Sequence, residues 1–333
     1  DRFVEIEGDP EVIQFSGGEP TIHPQLLEMI QAAKDRGIRQ VMVNTNGIRI
    51  AKDDRFLEEL AKLEPVVYFQ FDGLRPETYR TIRGEDLLDL KLLHQAGLNT
   101  VLVAAIEYGV NVDEVGAIVE FGLRHPAVRG VVLQPVTHVG RHMPFDPIQR
   151  VTIPDVIHGI VGQTKGRFVL EDFVPVPCCF PTCQVNSYVL VDGDKTMPLP
   201  RLLNIDEYLD YITNRSLPKL PKFDEVRKAL EGLWSASAVA GTEMTSSQFQ
   251  CACGPGMDLG YDLAHLNRHI FQIAIKDFMD PYTFNVKQAM KCCVGILVPD
   301  GRVIPFCTYN SVGYRERIRQ QLVQEQAKSR ALV

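Results

Sequence analysis

Two groups of residues in this 333-residue chain have the types and spacing to do chemistry. The first is Ser16-Gly17-Gly18-Glu19-Pro20, which closes the apolar run Val12 to Phe15 and precedes a helical pattern opened by Pro24. Paired glycines let backbone approach a ligand closely and adopt dihedrals that a Cβ would forbid. Glu19 falls at the C-terminal end of the expected strand, where open α/β sheets and barrels bind ligands. A carboxylate there can hold an ammonium group through charge-assisted hydrogen bonds worth about 1.5–3 kcal/mol each. The plainer alternative is a strand-to-helix turn with a surface glutamate.

The second group is the eight cysteines, none of which precedes Cys178. They fall as Cys178-Cys179 with Cys183, Cys251-x-Cys253, Cys292-Cys293 and Cys307. Vicinal pairs and C-x-C are poor geometry for simple disulfides. Clustered thiolates separated by long gaps suit iron–sulfur or other metal ligation by loops that meet in space. Disulfides and unrelated buried thiols are the alternatives. His265 and His269 are spaced i, i+4 in an apolar stretch, a possible ligand geometry, but no adjacent glutamate pattern supports a metal there. His138 and His142, flanking Arg141, read as structural or surface residues.

The elements that must position the first group follow from periodicity. Between residues 12 and 135 short apolar runs (Val12–Phe15, Gln40–Asn44, Pro65–Phe71, Thr100–Ile106, Arg129–Gln134) alternate with helical patterns near Pro24–Arg36, Asp54–Leu63, Asp86–Ala96 and Val112–Arg124. The runs are continuous rather than alternating, as expected of strands buried on both faces. Strands joined by helices predict a parallel α/β barrel or doubly wound sheet. Each strand ends in polar residues or glycine, and five such ends in register predict one ligand cleft at the C-terminal rim.

After about residue 140 prolines accumulate, periodicity weakens and the cysteines begin, which predicts a boundary between Gly140 and Pro154. Helices are expected near 205–213, 223–236 and 264–279, a hairpin near Gly295–Cys307 turned by Pro299-Asp300-Gly301, and a charged helix near 315–332. Composition is that of a globular chain, 45% apolar and 23% charged. A net charge of −7 argues against a general grip on nucleic acid. No apolar run reaches the roughly 18–20 residues of a membrane span.

At Ser16–Pro20, Thr45-Asn46-Gly47 and Phe69–Gly84 the sequence resembles the radical S-adenosylmethionine (radical SAM) enzymes, nearest the branch of molybdopterin-precursor cyclases and maturases with auxiliary clusters. Pro177–Cys183, Lys291-Cys292-Cys293 and Pro299–Asn310 resemble a narrower group, the archaeal tetraether lipid synthases and related methanopterin-methylase-like proteins. The resemblance implies a partial parallel (β/α) barrel over residues 1–145, followed by a cysteine-rich α+β auxiliary-cluster domain over 146–333. The family's Cys-x3-Cys-x2-Cys loop is absent. That favours a fragment missing the first strand and cluster loop, inactive in radical chemistry as it stands, over a degenerate homologue serving as a non-catalytic electron-transfer or binding module.

The resemblance also implies the site. Gly17, Gly18 and Glu19 would line the methionine end of S-adenosylmethionine, and Thr45 and Asn46 would face cofactor or substrate, unless they form a plain Asn-Gly turn. Gln70 and Asp72 would lie near the ribose or carboxylate, with a turn or cap role as the alternative for Asp72. Asn111 would reach the ribose or cap the helix at Val112, and Gln134 would meet the adenosyl part. Arg141 would meet a carboxylate or phosphate, or stay solvated. The cysteines would hold one or two [4Fe–4S] clusters, or one cluster and a mononuclear iron. A complete enzyme would generate a 5′-deoxyadenosyl radical for hydrogen abstraction, with C–C bond formation or methylation on a lipid or another large apolar substrate. Its electrons would come from a low-potential donor such as ferredoxin or flavodoxin. A cytoplasmic location is expected, peripheral to a membrane if the substrate is a lipid. Removing the charge of Glu19 is expected to weaken cofactor binding and leave stability nearly unchanged.

Overall fold

Val41, Val43, Val67, Phe69, Leu102, Ala104, Val131 and Leu133 all face one way, into an apolar layer closed by helices. They belong to β2 (Gln40–Thr45), β3 (Val66–Gln70), β4 (Thr100–Ile106) and β5 (Val128–Pro135), and Ile13 and Phe15 of β1 (Val12–Phe15) pack against them. Successive strands pair in parallel, with registers such as Phe15↔Val43, Val43↔Val67, Phe69↔Leu102 and Leu102↔Val131. Each helix offers its apolar stripe to that layer: Leu26, Ile30 and Ala33 from Leu26–Asp35, Phe56 and Leu60 from Asp54–Lys62, and Val115, Ile118 and Val119 from Val115–Arg124. Full burial of such a side chain contributes about 1.5–3 kcal/mol. The opposite sheet face carries a second apolar group, Met42, Val66, Tyr68, Val101, Val103, Val132 and Ala274. Both faces are therefore buried, which is why the strands read as continuous runs.

The computed structural model describes residues 1–8, 10–88, 98–139, 146–176, 180–192, 195–201 and 270–331. The helices expected at 205–213 and 223–236, and most of that at 86–96, lie outside these residues. A helix that periodicity did not reveal, Pro76–Arg83, follows β3, with proline in its first turn and Gly84 as its left-handed stop. Another, Ile153–Gln163, starts where Asp155 accepts a hydrogen bond from the Thr152 amide at 2.8 Å.

The later strands are β6 (Val174–Pro175), β7 (Gln184–Asp192), β8 (Lys195–Pro198) and β9 (Ile270–Lys276). Strand β9 pairs in parallel with β5, and β7 runs antiparallel to β9. Among the described residues the sheet has nine strands, ordered β1-β2-β3-β4-β5-β9-β7-β6 with β8 beside β7. It runs unbroken across the boundary expected at 140–154. The helix expected over 264–279 is corrected for residues 270–276, which are β9: Phe271, Ile273 and Ile275 alternate with Gln272, Ala274 and Lys276, a period of two rather than 3.6. The expected hairpin is present as β10 (Gly295–Leu297) and β11 (Val303–Pro305), although Cys307 falls in the helix Phe306–Ser311. The charged terminal helix is Tyr314–Ala331. No helix among the described residues is long and apolar enough to cross a membrane.

The β5–β9 seam depends on Gly130, where a Cβ would lie 2.7 Å from the Gln272 carbonyl oxygen. Gly130→Ala is expected to cost about 1–3 kcal/mol, as overpacking does, read as a lower urea midpoint. An unchanged midpoint would show that β5 and β9 are not held at this spacing.

Candidate active site

The five parallel strands bring their C-terminal ends to one rim, where most of the expected site residues lie. Gly17 and Gly18 are exposed, and nothing lies within 4 Å of the position a Cβ would take at either. Their backbone is thus an open cradle, with Gly17 at a φ of 137°. Glu19 is half-buried beside them and heavily engaged. Its Oε1 accepts from the Thr21 amide at 3.1 Å and from the hydroxyls of Thr21 and Thr45, each at 2.6 Å. Its Oε2 accepts from the Asn46 amide at 2.8 Å. The carboxylate therefore stitches the loop after β1 to the end of β2. Thr45 is buried in that stitch, and Asn46 Oδ1 accepts from the Ile48 amide at 3.0 Å to start the helix Ile48–Lys52. These bonds give Glu19 a role in holding the two loops together that the expectation of a nearly neutral substitution left out.

Two other expected cofactor contacts are corrected. Asp72 is 0% exposed; its carboxylate takes the Arg83 fork at 2.6 and 2.8 Å and accepts from the Ala105 amide at 3.0 Å. Asn111, also 0% exposed, accepts from the Glu107 amide at 2.8 Å and donates to the carbonyls of Asp72 and Ala105, both at 2.7 Å. Enclosed and already paired, neither side chain faces a ligand. Asn111 does not cap the Val112 turn through its side chain either. Both clamp the loops after β3 and β4. Glu114, which the sequence reading missed, completes the clamp by accepting from the Leu74 amide at 2.6 Å, from Thr78 Oγ1, and from Arg75 Nε at 3.0 Å.

Gln70 and Gln134 differ. They continue the alternation of Tyr68 and Val132, so they lie on the sheet face away from the helices, half-buried at the rim. Among the described residues neither enters the networks above. Asn44 shares that face, and its buried Oδ1 has no hydrogen-bond partner among the described residues. An open glycine cradle, an unmatched amide oxygen and two rim amides fit a ligand with both polar and planar parts.

Further along the same face stands a buried polar wall that sequence reasoning missed. Gln184 donates to Asn186 Oδ1 at 2.9 Å, Asn186 to Tyr188 Oη at 3.0 Å, Gln272 to the same oxygen at 3.4 Å, and Lys276 Nζ to Gln184 Oε1 at 2.9 Å. The signal was available in the period-two pattern of Gln-Val-Asn-Ser-Tyr-Val and Phe-Gln-Ile-Ala-Ile-Lys, broken only by Ser187 and Ala274.

Four of the eight cysteines, Cys183, Cys292, Cys293 and Cys307, are among the described residues, all as free thiols. Cys178, Cys179, Cys251 and Cys253 lie outside them, as do His265, His269, Arg141 and His142. Three of the four gather around residues 276–279. The Asp277 amide donates to the Cys183 carbonyl at 3.0 Å, the Met279 amide to Cys307 Sγ at 3.3 Å, and Cys292 Sγ to the Val294 carbonyl at 3.2 Å, with Val294 bonded to Phe306. Burial pushes the Cys307 thiol up to about 11, aided by Cys292 and Cys183 and opposed by Lys276. Burial likewise raises Cys292, which Lys276 also opposes. Asp277 is pushed up to about 6, first by burial. Nearby, Asp280 is fully buried, where burial alone would raise it, yet the His138 amide and the Arg150 guanidinium hold it below the usual carboxylate range. Among the described residues no three of His, Cys, Asp and Glu stand in a metal-holding arrangement. The four described cysteines therefore do not by themselves form the expected iron–sulfur ligand set.

Comparison with known proteins bears on this rim. Residues 1–122 match the family model described as the Radical SAM superfamily. The 7,8-dihydro-6-hydroxymethylpterin dimethyltransferase of Methanocaldococcus jannaschii is 30% identical over 365 aligned residues, spanning 93% of this chain and 68% of that protein. A GTP 3′,8-cyclase of Chlorobaculum tepidum is 32% identical over 151 residues, 41% of this chain and 45% of its own length. The tungsten-containing aldehyde ferredoxin oxidoreductase cofactor-modifying protein of Pyrococcus furiosus is 39% identical over 82 residues, 22% of each chain.

Two substitutions test the rim's construction. Glu19→Gln turns one acceptor into a donor facing other donors, so ligand-free stability is expected to fall by about 1.5–3 kcal/mol in urea unfolding. Asp72→Asn removes the charge that the Arg83 fork and the Ala105 amide bind and is expected to cost about 1.5–3 kcal/mol. A loss under ~0.5 kcal/mol in either would mean that the loops are held by other contacts.

Proposed function

Because this chain belongs to the radical SAM superfamily, we propose that its rim binds S-adenosylmethionine and serves radical methyl transfer to a polar heterocycle. The superfamily uses S-adenosylmethionine and a [4Fe–4S] cluster. Together they supply the hydrogen-abstracting and methyl-donating chemistry, and the protein supplies position and shelter from water. One observation carries the reading: the Gly17-Gly18 cradle, pinned by Glu19, opens at the same strand-end rim as Gln70 and Gln134. The cradle's amide and carbonyl groups suit the amino acid end of the cofactor. Gln70, Gln134 and the Asn44 oxygen suit its ribose and base. Glu19 acts by fixing the loop, and one lone-pair direction of Oε2 beyond the Asn46 bond suits the cofactor's ammonium group.

No cysteine precedes Cys178, so residues 1–177 offer no thiolate to a cofactor-cleaving cluster. The later thiols are assigned to a different group. Cys183, Cys292 and Cys307 approach one another from two loops and the helix Phe306–Ser311; by themselves they make no metal-holding set, and only together with cysteines outside the described residues would they hold an auxiliary iron–sulfur site in the 146–333 half. A one-electron donor of the ferredoxin or flavodoxin kind would serve such an enzyme.

The polar wall Gln184–Asn186–Tyr188–Gln272 bears on the substrate. Buried amides and a phenol on the ligand-facing side suit a heterocycle with amide-like edges, such as the pterin named in the M. jannaschii relative, and do not favour a lipid chain. Titrating S-adenosylmethionine calorimetrically and a 7,8-dihydropterin by fluorescence into the purified chain should show both binding. Gln70→Leu with Gln134→Leu is expected to weaken the cofactor about ten- to a hundred-fold, through two lost hydrogen bonds, at an unchanged urea midpoint. Failure of wild type to bind S-adenosylmethionine would sink the cofactor reading, and binding of a lipid in place of the pterin would restore an apolar substrate.

A further inference from the structure

A buried hydroxyl with nothing to bond carries a desolvation cost that folding does not recover. Tyr68 is such a residue. It is buried on the sheet face away from the helices, in the apolar group that includes Met42, Val101, Val103 and Val132. Among the described residues its hydroxyl makes no hydrogen bond. Burial alone acts on the phenol and holds it above its ordinary range, so near neutral pH it is a protonated donor.

Strand register sets Tyr68 in a row that crosses six strands: Asn44, Tyr68, Val101, Gly130, Gln272 and Tyr188. Residues in register on neighbouring strands share a sheet face. One end of the row is Asn44, whose Oδ1, unmatched among the described residues, belongs to the proposed cofactor site. The other end is the polar wall, where Gln272 donates to Tyr188 Oη at 3.4 Å. Between the two ends Val101 and Gly130 carry the smallest side groups of the row. Adjacent strands lie about 4.8 Å apart, which sets the Tyr68 and Gln272 backbones about 14 Å apart along the sheet. A two-ring heterocycle held at the wall by its amide-like edge would extend over Val101 and Gly130 toward the cofactor. Its second ring would then end beside Tyr68.

We infer that Tyr68 determines substrate specificity, its hydroxyl donating to the imine nitrogen of a 7,8-dihydropterin on the ring nearer the cofactor. In such a molecule the lactam and amino groups lie on the ring that suits the wall. The second ring keeps one nitrogen without a hydrogen, the imine, and its other nitrogen is itself a donor. A neutral phenol matches the imine. The bond fixes the reacting ring against sliding along the apolar middle of the row. A site that holds such a donor rejects an analogue lacking the acceptor, because the buried hydroxyl is then left unpaired.

The inference rests on the pterin reading of the polar wall, and the test separates the two. Wild type and Tyr68→Phe are titrated by fluorescence with a 7,8-dihydropterin and with its 5-deaza analogue, in which carbon replaces the imine nitrogen. S-adenosylmethionine is titrated calorimetrically into both. Wild type is expected to bind the parent about tenfold more tightly than the analogue, and Tyr68→Phe to bind both at the weaker level. The affinity for S-adenosylmethionine should not change. The ligand-free urea midpoint of Tyr68→Phe should equal or exceed that of wild type, since no hydrogen bond among the described residues is removed. Wild type that binds parent and analogue alike, or Tyr68→Phe that still tells them apart, would overturn the inference and leave the pterin reading intact. Wild type that binds no pterin would overturn that reading and the inference with it. If Tyr68→Phe does not fold, the wild-type comparison of parent with analogue decides alone.

Discussion

A carboxylate at the end of a buried strand cannot be left unmatched, and the rim of this sheet is organised by three such groups. Asp72 is the most demanding: fully enclosed, it costs several kcal/mol unless paired and hydrogen-bonded. The match comes from the helix Pro76–Arg83, whose last residue returns the guanidinium, and from the Ala105 amide on β4. Asn111 then binds the carbonyls of both partners of that contact, and Tyr79 donates to the Gly73 carbonyl at 3.0 Å. Glu19 does the same for the loops after β1 and β2, and Asp280 for those after β5 and β9 through His138 and Arg150. Each carboxylate fixes a loop, and Gln70 and Gln134 at the same rim are not drawn into these contacts.

This division of labour follows the two sheet faces. The face under the helices is apolar from Val41 to Ile275 and supplies cohesion. The other face is apolar only along the middle of the parallel strands, at Met42, Tyr68, Val103 and Val132. Toward the rim and across β9 and β7 it turns to amides, a phenol and an ammonium group. A buried wall of this kind is tolerated only when its members satisfy one another, since a half-paired network costs more than an apolar one. The chain of bonds from Lys276 through Gln184 and Asn186 to Tyr188 meets that condition.

Legibility from sequence followed the range of the determining contacts. β1 to β5 were readable because doubly buried strands are continuous apolar runs. Strand β9 was misread as helix because its flanking residues, which include the histidine pair, look helical when weighed together, whereas Phe271 to Lys276 follow a period of two broken only at Ala274. The positions of Gly17, Gly18 and Glu19 at a rim were readable from local spacing. The work of Glu19 was not, because Thr45 and Asn46 lie 26 and 27 residues away. Asn111 before an expected helix reads locally as a cap, yet one of its partners is the carbonyl of Asp72, 39 residues back. Arg83 and Glu114 carried no local signal, since their meaning depends on which loops the topology brings together.

The strand order has one consequence that neither half of the chain conveys by itself. Because β9 inserts between β5 and β7, Gln134 lies one step beyond the Leu133↔Ile275 pair and therefore beside Lys276. Adjacent strands run about 4.8 Å apart, so the rim proposed for the cofactor and the thiols around residues 276–279 lie across neighbouring strands. The long chain between β8 and β9 does not separate them in space. Parallel pairing demands such a long connection, whereas the antiparallel return to β7 places Cys183 at the same end of the sheet as Gln134. Had β9 paired in the opposite sense with β5, Lys276 and Asp277 would sit at the far edge, and the thiols would be remote from the rim. The direction of one strand thus decides that the thiols of the cysteine-rich half lie at the same end of the sheet as the glycine cradle.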